Sequence, residues 1–413
     1  MPARGADRPS AMSTCDLDLH QRFAALDAFL LSHQSLWRPR PFTELTLPWE
    51  AEHPALAQWL RARSLEQAEA AHNTPCDLPA PAPFADLAQQ SRALTELPWL
   101  PQQVDTRPVA RFNVDVPGRK WQQIQAFAQN LTFNQHPHHW LDWCAGKGHL
   151  GHLLARDGLP LTCLEHDPAL VEDGQRIAQR LQLDAQHRQQ DVMADDSVCH
   201  LMPMHTAVAL HACGDLHIRL MQLASAAGCD QLAIAPCCYN RTQTATYQPL
   251  STVAQASALH LSRDDLGLPL NETVTAPARV RQQRDQSMAR RLAFDLLQRE
   301  LRGVDSYLPT PSLPAAWLHK PFAQYCIDLG QRKGLTIAPH ADWNALLARG
   351  WQRLTEVRNL ELLRALFRRP LELWLVLDRA LYLEEQGYQV RLGQFCPPEL
   401  TPRNLLLLAE RHR

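Results

Sequence analysis

The sequence predicts an α/β fold in which a parallel sheet carries helices on both faces. Three observations predict it. Between residues 118 and 240, short apolar segments alternate with segments whose apolar residues recur at helical spacing. A glycine-rich turn follows the first apolar segment, and polar or thiol residues follow the later ones. Strands that alternate with helices form parallel sheets, which bind ligands beyond the carboxyl ends of their strands.

Composition and charge exclude several classes of protein. The 413-residue chain has 41 basic and 43 acidic side chains and a net charge of -2, so no overall field draws it to nucleic acid or an anionic membrane. Its 11 cysteines show no C-x-x-C spacing. The sequence has no apolar segment of about 18 residues, the length that a membrane span needs. We therefore expect reduced thiols, a cytoplasmic setting and no membrane span.

The first hundred residues predict a mostly helical region, 1–105, ahead of the sheet. Apolar residues recur at helical spacing over 17–31 and again over 54–72. A stiff, proline-rich connector at 75–83 follows, and a short helix is predicted over 84–97. We expect this region to help shape a substrate site over the strand ends.

The predicted core of the fold occupies residues 106–240 and is completed by 366–413. The predicted strands of its first part are 139–144, 161–165, 187–190, 206–210 and 231–235. The predicted helices there are 121–131, 149–156 and 168–181. The last part of the core is predicted to contain a helix over 371–386 and a hairpin-like pair of strands, 389–392 and 405–409.

Residues 241–365 interrupt this core without strand alternation, and we interpret them as an arginine-rich helical insertion. Its arginines are Arg279, Arg281, Arg284, Arg290, Arg291, Arg299 and Arg302. A solvated helix face is the interpretation that we favour for this charge pattern. A surface that contacts RNA or phosphate is the alternative, so RNA is the macromolecular partner that the sequence suggests.

The segment His139–Gly151 predicts a small-molecule site, because a buried strand leads through a glycine turn into a helix. Gly146 and Gly148 let backbone amides approach a ligand without an intervening Cβ, and the helix presents unpaired N–H groups in its first turn. The residues of the predicted cofactor site on this segment are Asp142, Cys144, Ala145, Gly146 and Gly148.

Acidic residues at successive strand ends indicate which ligand this site takes. Asp142 would repel a pyrophosphate but suits a ligand with an ammonium and a sulfonium, and S-adenosylmethionine carries both. Glu165, with His166 beside it, ends the second predicted strand, where a carboxylate accepts both hydroxyls of a ribose. Asp191 follows the third strand and is placed to accept from the adenine amino group.

Two other interpretations of the glycine turn stay open. Gly146, Gly148 and Gly151 fit the G-x-G-x-x-G pattern, with Glu165 about 20 residues on, which is typical of a nicotinamide-dependent oxidoreductase. Asp142 disfavours this class. The second alternative is a non-catalytic module that binds S-adenosylmethionine. A phosphate-binding P-loop is excluded because Lys147 is followed by glycine instead of Ser or Thr.

The ends of the fourth and fifth predicted strands supply candidate catalytic residues. Methyl transfer needs an aligned nucleophile and, where the nucleophile bears a proton, a base. His211 or Asp215 is predicted to take that proton. Tyr239 and Trp143 are placed to pack on the adenine or the cationic centre, and core packing is the alternative for both.

The cysteines at the same two strand ends, Cys213, Cys237 and Cys238, allow three interpretations. Cys237 is our candidate for a nucleophile of the kind used by enzymes that methylate carbon 5 of cytosine, which requires a lowered thiol pKa. A zinc site that includes His211 is the second interpretation. Simple buried thiols are the interpretation that we favour, and we predict no metal.

Several motifs resemble one family of S-adenosylmethionine-dependent methyltransferases. This family includes the ribosomal RNA adenine dimethylase domain-containing and related methyltransferase-like proteins, and the methyltransferase part of the glutathione S-transferase C-terminal domain-containing protein. The matching segments are Gly118–Trp121, Asp142–Leu150, His211–Leu216, Pro236–Tyr239, Leu377–Glu384 and Leu400–Asn404.

The resemblance implies a class I, Rossmann-like methyltransferase sheet over roughly residues 118–413, interrupted by the insertion. It also implies that S-adenosylmethionine lies across Asp142, Gly146, Gly148, Glu165 and Asp191. One departure is Cys144, which stands where related methyltransferases usually have the first glycine of the motif. The resemblance leaves the methyl acceptor unassigned, and RNA is the acceptor that we expect.

Overall fold

The computed structural model describes residues 18–103, 109–271, 278–337 and 342–411. The start of the first predicted helix at residue 17 and the predicted boundary after residue 105 lie outside these residues. Within them the chain divides into two compact units. The first takes in residues 18–31, 93–270 and 369–411, and the second takes in 32–92 and 271–368.

The first unit contains the sheet. Its strands are β1 (His139–Trp143), β2 (Leu161–Glu165), β3 (Ala185–Gln189), β4 (His205–Ala209), β5 (Gln231–Ile234), β6 (Tyr388–Gln394) and β7 (Leu405–Arg411). The helices of the whole described chain are α1 (Leu19–Ser32), α2 (Gln34–Trp37), α3 (Trp49–Glu52), α4 (Pro54–Arg61), α5 (Leu65–Ala71), α6 (Phe84–Thr95), α7 (Gly118–Gln129), α8 (His149–Leu154), α9 (Pro168–Leu181), α10 (Asp215–Ala227), α11 (Thr252–Gln255), α12 (Ala278–Arg302), α13 (Phe322–Arg332), α14 (Trp343–Ala365) and α15 (Arg368–Glu385).

The seven strands form one sheet in the order β3-β2-β1-β4-β5-β7-β6. Strands β1 to β5 pair in parallel, whereas β7 is antiparallel to both β5 and β6. The order reverses between β1 and β4, so the crevice beyond their carboxyl ends is where a sheet of this kind binds its ligand. The predicted α/β fold with a parallel core is confirmed.

Alternate residues of the strands build two hydrophobic layers, one on each face of the sheet. Trp140 and Val208 pack in one layer with apolar residues of α7, α8 and α9. Leu141 and Ala207 pack in the other layer with residues of α10 and α15. Because side chains alternate along a strand, buried strands that are apolar throughout need helices on both sides, and the structure supplies them.

The sequence located most of these elements closely, but it did not predict helix α10, and two other differences are informative. Strand β1 ends one residue earlier than predicted because Cys144 has a φ of 58°, a left-handed conformation that leaves the ladder. The helix predicted over 54–72 is two helices, α4 and α5. The interruption is a capping box in which the Ser64 hydroxyl accepts from the Gln67 backbone and the Gln67 side chain accepts from the Ser64 backbone.

The second unit is helical, and its centre is the packing of α12 on α14. Gly350 makes this close approach possible, since a Cβ there would lie 2.5 Å from the backbone oxygen of Ala289. Several arginines of the predicted insertion are held inside this unit. Buried Arg290 donates to the backbone oxygens of Trp317 and Lys320, and buried Arg299 is paired with Asp295 at 2.9 Å.

None of the helices in the described part of the chain is both long enough and apolar enough to cross a membrane.

Candidate functional site

The glycine turn between β1 and α8 is a compact loop built from left-handed residues. Cys144, Gly146 and Gly148 have φ values of 58°, 59° and 75°. The Gly148 backbone N–H donates to the oxygen of Ala145 at 2.9 Å, and the Ala145 N–H donates to Leu164 of β2 at 3.0 Å. A Cβ at position 148 would lie 2.4 Å from Cε1 of His187, so only glycine fits without displacement. At position 146, in contrast, a Cβ would meet no atom within 4 Å, so the space beside Gly146 is open.

Cys144 has a side chain at a left-handed position of the turn, where the family motif that the sequence resembles has glycine. Its thiol is half-buried, and burial, reinforced by the negative charges of Glu165 and Asp142, raises its pKa to about 12. The thiol is therefore protonated and unreactive near neutral pH. The left-handed backbone of a non-glycine residue costs about 1–3 kcal/mol, which the surrounding hydrogen bonds of the turn must offset.

Glu165 at the end of β2 organises the turn. One carboxylate oxygen accepts from the Gly146 N–H at 2.8 Å, and the other accepts from the backbone N–H groups of His166 and Asp167 at 2.9 and 3.0 Å. The His166 side chain is exposed. The carboxylate thus links the second strand to the glycine turn and stays half-buried at the carboxyl edge of the sheet.

Asp142 in β1 is buried, with 3% of its surface exposed. Its Oδ2 accepts from the Gly151 N–H at 3.0 Å, so one of the α8 amides that the sequence suggested was unpaired is occupied. Burial raises the pKa of this carboxyl to about 7, and only the Gly151 hydrogen bond and Lys120 act appreciably in the other direction. A nearby cation would stabilise the ionised form of this buried carboxyl and so lower its pKa.

Asp191 lies two residues beyond β3 and is exposed. Its Oδ1 accepts from the Met193 N–H at 3.0 Å, which closes a short turn. The predicted cofactor residues therefore occupy the carboxyl ends of β1, β2 and β3, which are neighbours in the sheet. A ligand that contacted all three ends would lie along this edge.

His211 and Asp215, the candidate bases, follow β4 at the same edge. His211 is partly exposed, and its pKa is lowered by the surrounding protein atoms and by the charge of Lys120. It is therefore neutral near pH 7 and able to accept a proton. Asp215 begins α10, and its Oδ2 accepts from the Gln243 N–H at 2.7 Å, so it fixes the segment that follows β5.

A cavity of about 370 Å³ lies beside the N-terminus of α10. Its lining includes Met193, Asp215, Arg219, Gln243 and Tyr247. The sequence singled out Asp215 but none of the other four, because they come from segments that are distant along the chain and carry no motif.

Tyr239 and Trp143 belong to the core, so core packing is correct for both and stacking on a ligand is not supported. Each is 1% exposed. The Trp143 indole N–H donates to the backbone oxygen of Leu216 at 2.9 Å. The Tyr239 hydroxyl donates to Glu372 at 3.3 Å, and burial raises its pKa well above the usual value. A buried, protonated phenol cannot act on a substrate in the crevice.

Arg379 of α15 holds the segments behind the site together, a role that could not be predicted from its place in the family motif. Its Nε donates to Nε2 of buried His217 at 2.7 Å, and Nη1 donates to the Tyr247 hydroxyl at 3.0 Å. The His217 Nδ1–H donates in turn to the oxygen of Ala212, just after β4, which fixes the tautomer of the imidazole. Burial and the Arg379 charge lower the pKa of His217 to about 3, so this imidazole is neutral.

Asp378, the neighbour of Arg379 on α15, anchors the segment after β5. Its carboxylate accepts from the Tyr247 hydroxyl at 2.5 Å and from the Leu250 and Ser251 backbone N–H groups at 2.9 and 2.7 Å. The Leu377–Glu384 motif therefore has a structural role that the order of residues did not reveal. It fixes the chain that leads from the end of β5.

The Leu400–Asn404 motif is explained in the same way. The Asn404 side chain accepts from Arg369 of α15 at 2.8 Å and donates to the oxygen of Cys396 at 2.7 Å. These bonds join the loop between β6 and β7 to the start of α15. Both C-terminal motifs thus support the site without contributing groups to it.

The thiols at the ends of β4 and β5 converge. Cys213 and Cys237 form a parallel backbone bridge, and their Sγ atoms are 3.7 Å apart. The pKa of Cys237, our candidate nucleophile, is raised because its thiol shares hydrogen bonds with Cys213 and Cys238. The pKa of Cys238 is lowered by those two thiols. The electrostatics therefore favour Cys238 as the thiolate of the group.

Comparison with known proteins identifies the class of the sheet unit. Residues 119–245 match the family model described as a methyltransferase domain. This segment covers the first five strands and carries the glycine turn and the thiols. This match does not identify the specific family that the sequence motifs resemble.

The comparison with solved structures finds methyltransferases at low overall similarity. The magnesium protoporphyrin IX methyltransferase ChlM from Synechocystis PCC 6803 with bound SAH is 10% identical, with 80% of this chain and 95% of that chain covered and a TM-score of 0.31. The plantazolicin methyltransferase BpumL in complex with SAH is 10% identical, with coverages of 84% and 98% and a TM-score of 0.24.

The kinase-methyltransferase WbdD is 15% identical, with 34% of this chain and 35% of that chain covered and a TM-score of 0.24. The chain thus spans about a third of the length of the WbdD structures that it matches. TM-scores in this range are too low to indicate a shared acceptor. The match to the family model nevertheless shows that the chain contains a methyltransferase domain, which supplies β1 to β5 of its seven-stranded sheet.

Proposed function

We propose that this protein is an S-adenosylmethionine-dependent methyltransferase. The observation that carries the proposal is the carboxyl edge of β1 and β2, where a left-handed glycine turn meets the carboxylates of Asp142 and Glu165 inside the matched domain. The proposed cofactor residues are Asp142, Cys144, Ala145, Gly146, Gly148, Glu165, His166 and Asp191.

Each carboxylate has a chemical reason to contact a different part of the cofactor. A carboxylate offers about four acceptor sites, and three backbone N–H groups leave Glu165 capacity for a ribose hydroxyl. Burial destabilises the ionised form of Asp142, and the positive charges of the ammonium and sulfonium groups of the cofactor would stabilise it. Asp191 is exposed and is assigned to the adenine amino group.

The same geometry disfavours the nicotinamide alternative. A pyrophosphate needs the free N–H groups of the helix that follows the turn, but the Gly151 N–H donates to the Asp142 carboxylate. Phosphate oxygens at this point would also face that carboxylate. Calorimetric titration with S-adenosylmethionine and with NADH separates the two classes, since we expect heat from the first ligand and none from the second.

For the methyl acceptor we propose RNA, with His211 or Asp215 as the base. The support is the family resemblance of the motifs and the exposed Arg279 on α12, whereas Arg290 and Arg299 are buried. Neutral His211 can take the proton that an acceptor loses as its nucleophilic atom bonds to the methyl carbon. Asp215 is already held by the Gln243 N–H, so His211 is the stronger candidate.

The test is incubation of the purified protein with radiolabelled S-adenosylmethionine and fractionated cell extract. Ribonuclease-sensitive label, lost in His211→Ala, supports RNA methylation. Label in protein or small-molecule fractions would refute RNA and retain the methyltransferase. If S-adenosylmethionine binds but no fraction is labelled, a non-catalytic binding module becomes the correct assignment. If the cofactor does not bind, the whole proposal fails.

A further inference from the structure

Three cysteine thiols meet where β4 and β5 end. Cys213 follows β4, and Cys237 and Cys238 follow β5. The Sγ atoms of Cys213 and Cys237 are 3.7 Å apart, and all three Sγ atoms lie within 4.8 Å of one another. Three sulfur atoms at this spacing are close enough to bind one metal ion. This is a different arrangement from isolated buried thiols, which the sequence alone favoured.

The backbone around the thiols is built to hold this arrangement. Gly214 adopts a φ of 55°, and a Cβ there would lie 2.0 Å from the backbone oxygen of Arg241, so only glycine allows the two loops to approach. The Gly214 N–H donates to the oxygen of Cys237 at 3.0 Å, and the Arg241 N–H donates to that of Cys238 at 2.9 Å. Cys238 itself has a φ of 48°. A non-glycine residue held in this conformation is typical of functional sites.

The spacing of the sulfur atoms fits a tetrahedral zinc ion. With a Zn–S bond of about 2.3 Å, two ligands of a tetrahedron lie about 3.8 Å apart. The 3.7 Å between Cys213 and Cys237 matches that edge. The third sulfur lies within 4.8 Å of both. The ring nitrogens of His211 are not part of this cluster.

The charges around the three thiols suit a zinc ion held by thiolates, because that group has a net negative charge. The positive charges of Arg403 and Arg241 act on the Cys238 thiol. A zinc ion with three thiolates carries a net charge of -1, which the two arginines compensate.

We propose that Cys213, Cys237 and Cys238 bind a zinc ion, with the fourth tetrahedral position open to water or to another ligand. Binding joins Zn²⁺ to the three sulfurs as thiolates, each thiol releases its proton to solvent, and no oxidant or reductant takes part. Three protein ligands with one open position are the arrangement of catalytic zinc sites. The site goes beyond the proposed methyl transfer and does not depend on it.

The experiment uses the full chain purified under reducing conditions. The zinc content is measured by elemental mass spectrometry. It is measured once on the purified protein and again after equilibration with zinc and passage through a chelating column that removes unbound metal. Cobalt(II) then replaces zinc, because sulfur-to-cobalt charge-transfer bands report thiolate ligation and the visible bands report tetrahedral geometry. We expect one zinc ion per chain and both sets of bands.

The matched variants are Cys238→Ser, Cys213→Ser and Cys199→Ser, the last an exposed cysteine outside the cluster. We expect at least a hundredfold loss of zinc affinity for the first two and no change for the third. The proposal is overturned if the wild-type protein retains no zinc, if the cobalt spectrum lacks charge-transfer bands, or if zinc survives in Cys238→Ser.

One further outcome distinguishes a competing chemistry. Titration of thiols without reductant gives a count of free sulfhydryl groups in the unfolded chain. A loss of two groups that maps to Cys213 and Cys237 would mean a disulfide bond and would overturn the zinc site. These measurements do not use S-adenosylmethionine, so their failure leaves the proposed methyltransferase function intact.

Discussion

The buried carboxyl of Asp142 predicts that ionisation of this group destabilises the protein without ligand as the pH rises from acidic to alkaline. Burial raises the pKa of this group from its usual 3.8 to about 7. The folded state therefore binds more protons than the unfolded state between these values, and its stability falls as the pH rises. A pKa difference of one corresponds to about 1.4 kcal/mol, so the complete change is about 4 kcal/mol.

The perturbation that isolates this effect is Asp142→Asn. The amide has the same shape as the carboxyl and its oxygen can still accept from the Gly151 N–H, but it does not ionise. Between pH 5 and pH 8 the wild-type protein loses about 2–3 kcal/mol through this group, and the variant loses none. The variant should therefore gain stability relative to the wild type as the pH rises.

The assay is urea unfolding of the ligand-free proteins at pH 5, 6, 7 and 8. Other titrating groups cancel in the difference between wild type and variant. Glu172→Gln, an exposed carboxyl on α9, is the control and should differ from the wild type by the same amount at every pH. A flat difference for Asp142→Asn would refute the reasoning, because the carboxyl would then not be held in its protonated form.

The same variant links stability to ligand binding. The stability lost by ionising Asp142 is recovered when a cation binds beside it, so the affinity for S-adenosylmethionine should rise as the pH increases through 7. In Asp142→Asn we expect affinity to fall at least tenfold and to lose this pH dependence. Calorimetry at pH 6 and pH 8 measures both effects, and an unchanged affinity would separate Asp142 from the cofactor.

Three further predictions concern the framework of the site. Gly148→Ala should lower the free energy of unfolding by about 1–3 kcal/mol, because φ is 75° and the added Cβ would lie 2.4 Å from His187, whereas Gly118→Ala, which meets no atom within 4 Å, should not. Arg379→Met should cost about 1–3 kcal/mol for each polar partner left unpaired, measured by urea unfolding. The exposed pair Arg349–Glu300 is the control for it, and Arg349→Met should cost less than about 1 kcal/mol. Burial lowers the pKa of His152 to about 3 and of His187 to about 4, so the unfolded chain takes up protons first as the pH falls below 6.5. Each histidine should then cost about 2 kcal/mol at pH 5, and His187→Gln should reduce this acid sensitivity in the same unfolding assay.

Local signals explain why much of the sheet unit was predictable from sequence. Helix α9 was predicted with its correct limits, since Asp167 accepts from the Ala169 N–H as a cap and Pro168 occupies the first turn. Strands β4 and β5 are buried throughout, and short apolar segments reveal such strands. The glycine turn was recognised because left-handed positions select glycine.

Other features depend on contacts between distant parts of the chain and left no local signal. Arg379 and His217 are 162 residues apart in sequence, and nothing near either residue indicates the partner. The burial of Tyr239 could not be read from its position after a strand, because the adjacent Cys238 is only half-buried. The sequence placed Cys213, Cys237 and Cys238 at two adjacent strand ends, but the distances between their sulfur atoms depend on how the two loops pack.

The position of β7 between β5 and β6 has a consequence for the synthesis of the chain. Until residues 388–411 have left the ribosome, β5 has an open edge whose backbone groups lack a partner. All four residues of β5 are buried in the complete fold, so the incomplete sheet exposes a strand that is prone to aggregation. Chains truncated before β7 should therefore depend on chaperones and aggregate easily, because the edge of β5 stays uncovered.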